Sequence, residues 1–283
     1  MKIGPHTIDE GHCFIIAEAG INHGGDLALA HRLIDSAALC QADAVKFQTF
    51  DPAELGAPDL APYALPEHAW AELADHAIRR GILFLSTPFD TWSASLLAHL
   101  PVPAWKIASG EIINTKLLRW IGGQGQPVLL STGMATADEI TAALKALGKY
   151  GGTFGGSRGW GVILLHCVSA YPAPPEQMNL RAMDTLRDYF GAPVGLSDHT
   201  LGWDIALAAV AMGACVIEKH FTVMDGRGPD HAMSLRPDEF SSMVRRIRTI
   251  EAAMGDGIKR CMPCEEPVKA KARRDPATGR RPV

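Results

Sequence analysis

From residue 14 to about residue 254, short runs rich in β-branched and aromatic residues alternate with longer stretches whose apolar positions recur every three to four residues. The first pattern suits buried strands and the second amphipathic helices, so the chain predicts a parallel sheet with crossover helices. Eight strands can be counted: FIIAEAG (14–20), AVKFQTF (44–50), ILFLSTP (82–88), AWKIASG (104–110), PVLLSTG (127–133), GVILLHCV (161–168), PVGLSDH (193–199) and CVIEKHF (215–221). Between and after them lie helical patterns such as LALAHRLIDSAALC, AWAELADHAIRRG, ADEITAALKALGKYG, DIALAAVAMGA and RPDEFSSMVRRIRTIEAAM.

Eight strand and helix pairs in about 240 residues match a (β/α)8 TIM barrel. The rival α/β arrangement, a doubly wound open sheet, carries a G-x-G-x-x-G turn after its first strand, and Ala19-Gly20-Ile21-Asn22-His23-Gly24-Gly25 does not fit it. Residues 1–13, with Ile3 and Ile8 around Gly4-Pro5, predict a hairpin capping the barrel's N-terminal mouth, and 14–255 the barrel itself. Residues 256–283 read as a tail or linker. Its last 17 residues hold Lys269, Lys271, Arg273, Arg274, Arg280 and Arg281 against one acid, Asp275.

Side chains alternate along a strand, and barrel enzymes keep their chemistry at the C-terminal strand ends. On strand eight Val216, Glu218 and His220 share a face; on strand seven Gly195, Ser197 and His199 do. Lys46 and Gln48 fall together on strand two, Glu18 near the end of strand one and Ser131 near the end of strand five. Strand six adds Cys167, Ser169 and Tyr171 if it stays extended that far. Lys106 and Ser109 differ in parity, so both face inward only if strand four bulges. On strand three the inward residue is Ser86 or Thr87.

One inward polar residue is usually a satisfied core group, but charged groups from nearly every strand at one end would be costly to bury without a ligand. Lys46 and Lys106 with the hydroxyls of Ser109, Ser131 and Ser197 suit a small anion bearing phosphate and carboxylate. His199 and His220, on adjacent strands, are placed either to bind one metal through neutral imidazoles or to serve as general acid and base.

Composition narrows the partners. A chain of 283 residues, 47% hydrophobic and with a formal net charge of −4, has the core of a globular enzyme and no basic footprint for nucleic acid. No apolar run nears the roughly 20 residues of a membrane span, and the N-terminus lacks the apolar stretch of a signal peptide. The six cysteines are scattered rather than paired in a framework, and Cys261-x-x-Cys264 lacks the second pair of a four-ligand zinc site. A cytoplasmic setting and a small-molecule substrate are expected, with neither nucleic acid nor membrane as partner.

Seven motifs then carry a resemblance: I-A-E-A-G-I-N-H-G-G (16–25), V-K-F-Q-T (45–49), K-I-A-S-G-E (106–111), L-S-T-G-M (130–134), S-A-Y-P-A-P (169–174), G-L-S-D-H-T (195–200), and E-K-H-F-T (218–222) followed by G-P-D-H (228–231). In this order they resemble the sialic acid synthases, also called N-acetylneuraminate or nonulosonic acid synthases, over residues 14–255. The resemblance implies a transferase that condenses phosphoenolpyruvate with the open-chain aldehyde of an N-acetylhexosamine, giving a nonulosonic acid and phosphate. It implies a divalent metal, Mn²⁺ or else Mg²⁺ or Co²⁺, on His199 and His220. Glu18 then corresponds to the acid/base carboxylate. Lys46, Thr87, Lys106, Ser109, Ser131, Ser197 and Glu218 correspond to the phosphoenolpyruvate pocket, and Gln48, Tyr171 and Asp230 to the sugar site. Either Glu18 or Glu218 could handle protons.

Typical members continue into a small antifreeze-like domain that reaches over the partner subunit's barrel and supplies an arginine. The chain stops where that domain would begin, so Arg273 or Arg274 of the tail, a homodimer partner or a separate lid protein is expected in its place. Ser169 stands where N-acetylneuraminate-forming members carry Asn, and S-A-Y-P looks more like relatives making other nonulosonic acids. Two rival functions remain: condensation yielding a deoxy-octulosonate or deoxy-heptulosonate phosphate, which needs a second phosphate site, and an inactive sugar-binding barrel.

Overall fold

A computed structural model describes residues 1–8, 11–148, 161–224 and 226–281. Residues 9–10 of the expected hairpin segment, 149–151 of the ADEITAALKALGKYG pattern and 282–283 of the tail lie outside them. Strands β1 (Lys2–Ile3) and β2 (His6–Thr7) form an antiparallel hairpin. Eight parallel strands follow: β3 (Phe14–Gly20), β4 (Ala44–Thr49), β5 (Leu83–Pro88), β6 (Trp105–Ile107), β7 (Val128–Ser131), β8 (Val162–Cys167), β9 (Val194–Asp198) and β10 (Val216–His220). Each predicted strand is present, trimmed by a residue or more at most ends. The ladder runs β5-β4-β3-β10-β9-β8-β7-β6, and β5 lies beside β6, so the sheet curls into a nearly closed barrel.

Helices cover the outer face: α1 (Leu27–Leu39), α2 (Glu67–Arg79), α3 (Thr91–Leu97), α4 (Thr115–Gly122), α5 (Ala137–Ala146), α6 (Ala182–Phe190), α7 (Asp204–Ala211) and α8 (Pro237–Met254). Local capping sets where several begin. Asp26, Asp90 and Asn114 accept from the third residue of α1, α3 and α4, and Thr136 with Glu139 forms a capping box on α5.

Two cores result from strand alternation. Outward residues such as Ile15, Val45, Phe84, Leu130, Leu164 and Ile217 pack under the helices. Inward residues Phe14, Ile16, Ala44, Leu85, Leu129, Ile163, Leu165 and Val216 fill the lower barrel together with Ile3 and Ile8 from the hairpin region, which plugs the N-terminal mouth. One step further along each strand the inward positions turn polar.

Residues 1–251 and 252–283 form two compact units. The second contains α9 (Glu266–Ala272), has no buried residue in its helices, and carries Cys261 and Cys264 exposed and free. Among the described residues no helix is long and apolar enough to cross a membrane.

Candidate active site

The polar inward positions converge on a cavity of about 460 Å³ at the C-terminal end of the barrel. Every candidate position lines it: Glu18, Lys46, Gln48, Thr87, Lys106, Ser109, Ser131, Tyr171, Ser197, His199, Glu218, His220 and Asp230. The parity ambiguity on β5 resolves toward Thr87, whose hydroxyl takes a hydrogen bond from Lys46 Nζ at 2.9 Å. Ser86 faces the other way and pairs with Thr49 at 2.7 Å.

Two lysines and two glutamates form the floor. Lys46 Nζ lies 2.7 Å from Glu18 Oε2, an ion pair without hydrogen-bond geometry, and 3.7 Å from Glu218 Oε2. Lys106 Nζ lies 3.6 Å from Glu218 Oε1 and donates to Ser131 Oγ at 2.9 Å. Ser197 Oγ donates to Glu218 Oε1 at 2.9 Å, and Gln48 Nε2 to Glu18 Oε1 at 3.1 Å. All four charged groups are buried.

The two carboxylates are not equivalent. Burial, joined by the nearby charge of Glu218 and only partly offset by Lys46, pushes Glu18 up to about 7. Burial acts upward on Glu218 too, but Lys106, Lys46 and the Ser197 hydrogen bond outweigh it and hold Glu218 below the usual carboxylate range. Near neutrality Glu18 can exchange a proton and Glu218 stays ionised.

At the opposite wall the His199 and His220 rings lie 5.3 Å apart between centroids, with Tyr171 4.4 Å from His199 and 6.2 Å from His220. His199 Nδ1 lies 2.9 Å from the Val168 carbonyl, which can only accept, so Nδ1 carries a proton and Nε2 is the nitrogen turned to the cavity for a ligand. His220 Nδ1 is buried without a hydrogen-bond partner, 3.7 Å from Asp230 Oδ2. Burial, then His199 and Lys46, hold His220 well below its ordinary value and therefore neutral. Burial acts downward on His199 too, but Cys167, the Val168 carbonyl and Glu218 outweigh it and raise His199 above its ordinary value, so a cation binding there would displace a proton from its ring. Two imidazoles, one with a buried nitrogen lacking a hydrogen-bond partner, fit a divalent metal. Among the described residues no group of three or more His, Cys, Asp or Glu side chains is arranged to hold a metal, so an ion between these rings would need water or substrate oxygens as further ligands.

Three local features depart from the strand pattern. Strand β6 does not bulge: it ends at Ile107, and a 3₁₀ turn over Ser109–Glu111 swings Ser109 into the cavity, where its Oγ accepts from Gly133 N–H at 3.0 Å. The bulge lies in β3 instead, between Glu18 and Gly20, and Gly20 takes φ 53°. A side chain there would sit 3.3 Å from Glu18 Oε1 and 3.4 Å from Gln48 Nε2. Strand β8 stops at Cys167, so Ser169 and Tyr171 reach the cavity from the following loop rather than from the sheet.

Cys167 and Ser169, which alternation also places inward, line the cavity as well. Ser169 Oγ is buried and unpaired, and Gly133 is pressed against it: an added Cβ would meet Ser169 Oγ at 2.4 Å and Ser109 Oγ at 2.8 Å. Cys167 Sγ lies 3.7 Å from His199 Nδ1. Leu60 comes from a 3₁₀ helix, Pro58–Tyr63, in the segment between β4 and α2, and Phe89 from the loop after β5. The length of the segment between β4 and α2 was the one cue to Leu60, since long βα loops in barrels line active sites.

Residues 33–259 match the family model described as NeuB family. An N,N'-diacetyllegionaminic acid synthase of Campylobacter jejuni is 45% identical over 273 residues, covering 89% of this chain and 80% of that protein. Its namesake from Legionella pneumophila is 42% identical over 283 residues, covering 93% and 79%. The crystal structure of an N-acetylneuraminic acid (sialic acid) synthetase from Leptospira borgpetersenii, in complex with citrate, superimposes with a TM-score of 0.85 at 36% identity, covering 97% of this chain and 98% of the other.

Proposed function

We propose, from the premise that this chain belongs to the NeuB family, that it is a transferase condensing phosphoenolpyruvate with an N-acetylhexosamine-type aldose to give a sialic-acid-like nonulosonic acid and phosphate. The observation that carries this reading is the floor of the cavity, where two buried lysines stand beside two buried glutamates at the C-terminal end of the barrel. Phosphoenolpyruvate brings a phosphate and a carboxylate, one anion for each lysine. Thr87, Ser109, Ser131 and Ser197 supply hydroxyls to the same anions. Gln48, Tyr171 and Asp230 face the acceptor sugar. The S-A-Y-P sequence and the legionaminic acid synthases favour an acceptor other than N-acetylmannosamine.

Carbon–carbon bond formation sends the C3 electrons of phosphoenolpyruvate to the aldehyde carbon, and the aldehyde oxygen must gain a proton. Glu18, poised near 7, is the donor. Positive charge develops at C2, where the Glu218 carboxylate, held ionised by Lys106 and Lys46, stabilises it. Water then adds to C2 and loses a proton, which the Glu18 carboxylate takes back. The C2–O bond to phosphate breaks as the C2 hydroxyl gives its proton to the leaving phosphate, so the products are the keto acid and inorganic phosphate. His199 and His220 would hold the divalent metal, which when bound polarises the aldehyde oxygen and orders a water.

The test is phosphate release from phosphoenolpyruvate with added Mn²⁺ across a panel of N-acetylhexosamines. Release with a diacetamido or N-acetyl sugar supports the reading. Release only with a phosphorylated tetrose or pentose supports a deoxy-octulosonate or deoxy-heptulosonate phosphate synthase, and none with any aldehyde supports a binding barrel.

A further inference from the structure

Along β9 and β10 the residues facing the cavity alternate with residues facing the helices. Leu196, Ile217 and Phe221 take outward positions in the apolar layer that also holds Ala206 and Ala209 of α7 and Phe240 and Val244 of α8. In the same layer, one residue before each histidine, stand Asp198 and Lys219, each 1% exposed. They are direct partners in the β9–β10 ladder.

Their hydrogen bonds close a network around the histidines. Lys219 Nζ donates to Asp198 Oδ2 at 2.8 Å and to the Thr200 carbonyl. Asp198 Oδ1 in turn accepts from Thr200 N–H at 2.9 Å and from the Thr200 hydroxyl at 2.8 Å. The chain is thus tied down on both sides of His199 and immediately before His220. His220 Nδ1 has no partner of its own, so the strand backbone largely sets where that ring sits. On the other six strands the outward positions are apolar or neutral, as with Phe47, Ser86, Ile107, Leu130 and Leu164.

A buried ion pair is poor evidence for stability, because apolar replacements of similar volume are often neutral or better. Placement accounts for this one. We propose that Asp198 and Lys219 are positioning residues that set the spacing of His199 and His220, and through it the affinity for a divalent cation held between those rings. The proposal rests on the assignment of His199 and His220 as metal ligands.

Full-length protein is titrated with Mn²⁺, free ion being read by electron paramagnetic resonance, with thermal unfolding measured in parallel. In the double variant D198N/K219M, which keeps side-chain volume and the acceptor for Thr200, the Mn²⁺ dissociation constant is expected to rise about tenfold or more. Phosphoenolpyruvate binding to the metal-free protein should stay within about twofold, and the melting temperature within about 5 °C. K219R keeps the charge but changes its reach, and about threefold weakening is expected. Wild-type Mn²⁺ affinity in both variants, or in K219R if only it folds, overturns the positioning role while H199A still abolishes binding. Mn²⁺ binding that survives H199A overturns the ligand assignment and the positioning role together.

Discussion

The two ends of the barrel are both rich in charge, and they use it differently. At the N-terminal end Asp43 Oδ2 accepts from Ile15 N–H at 2.7 Å and meets Arg248 at 3.2 Å, while Glu251 accepts from Cys13 N–H at 2.6 Å and from Arg248 Nη1 at 2.8 Å. Arg248 also donates to the Cys13 carbonyl at 2.9 Å. None of these side-chain atoms is left buried and unpaired. At the C-terminal end Glu218 Oε2, His220 Nδ1 and Ser169 Oγ are buried without a hydrogen-bond partner, and Glu18 Oε2 meets only the Lys46 ammonium. A satisfied network fastens strand starts to α8; an unsatisfied one leaves polar atoms to meet a ligand.

Substitutions at the two ends should therefore separate activity from stability. The largest effect is expected for E18Q, with turnover falling by about 10²–10⁴ because a positioned proton donor and acceptor is lost. Its melting temperature should move less than that of D43A, since Lys46 keeps Glu218 and Thr87 as partners and Gln replaces Glu18 at nearly the same volume. D43A reverses this. Losing the partner of Arg248 and Ile15 N–H should cost about 3 kcal/mol, roughly 6–12 °C, while turnover per folded molecule is retained. Calorimetry beside steady-state kinetics reads both, and equal loss of turnover in the two variants would dissolve the contrast.

The contrast was half legible in the chain. Period-two alternation of Glu18, Lys46, Gln48, Ser197, His199, Glu218 and His220 put each on the cavity side, because one-residue register flips a whole strand face and buried strands tolerate no ambiguity. Alternation fails once the chain leaves the sheet. Ser109 enters by a 3₁₀ turn and Ser169 and Tyr171 by a loop, and no periodicity describes these. Nor does sequence say which carboxylate titrates near neutrality. That difference depends on the distances from Glu18 and Glu218 to Lys46 and Lys106, four residues on four different strands. The N-terminal network escaped notice for a similar reason: Asp43 and Arg248 are 205 residues apart and look like ordinary surface charges one at a time.

The pH profile sharpens the same contrast. The form of the free enzyme that binds phosphoenolpyruvate productively carries the proton on Glu18, so kcat/KM for phosphoenolpyruvate should fall about tenfold per pH unit above about 7. E18Q should lose that limb and keep the rest of the profile. A smaller effect accompanies binding itself. Bringing an anion against Lys46 disfavours the Glu18 carboxylate, so binding near pH 7 should take up about half a proton, seen as a dependence of calorimetric heat on buffer ionisation enthalpy. The uptake should vanish in E18Q and persist in D43A.

The most direct measurement is a crystal structure of the full chain with Mn²⁺ and phosphoenolpyruvate. The expected result is a metal ligated by His199 and His220, with the phosphate and carboxylate of phosphoenolpyruvate divided between Lys46 and Lys106 and Glu18 within hydrogen-bond reach of the reacting atoms. Metal bound away from both histidines, or phosphoenolpyruvate outside this cavity, would contradict it.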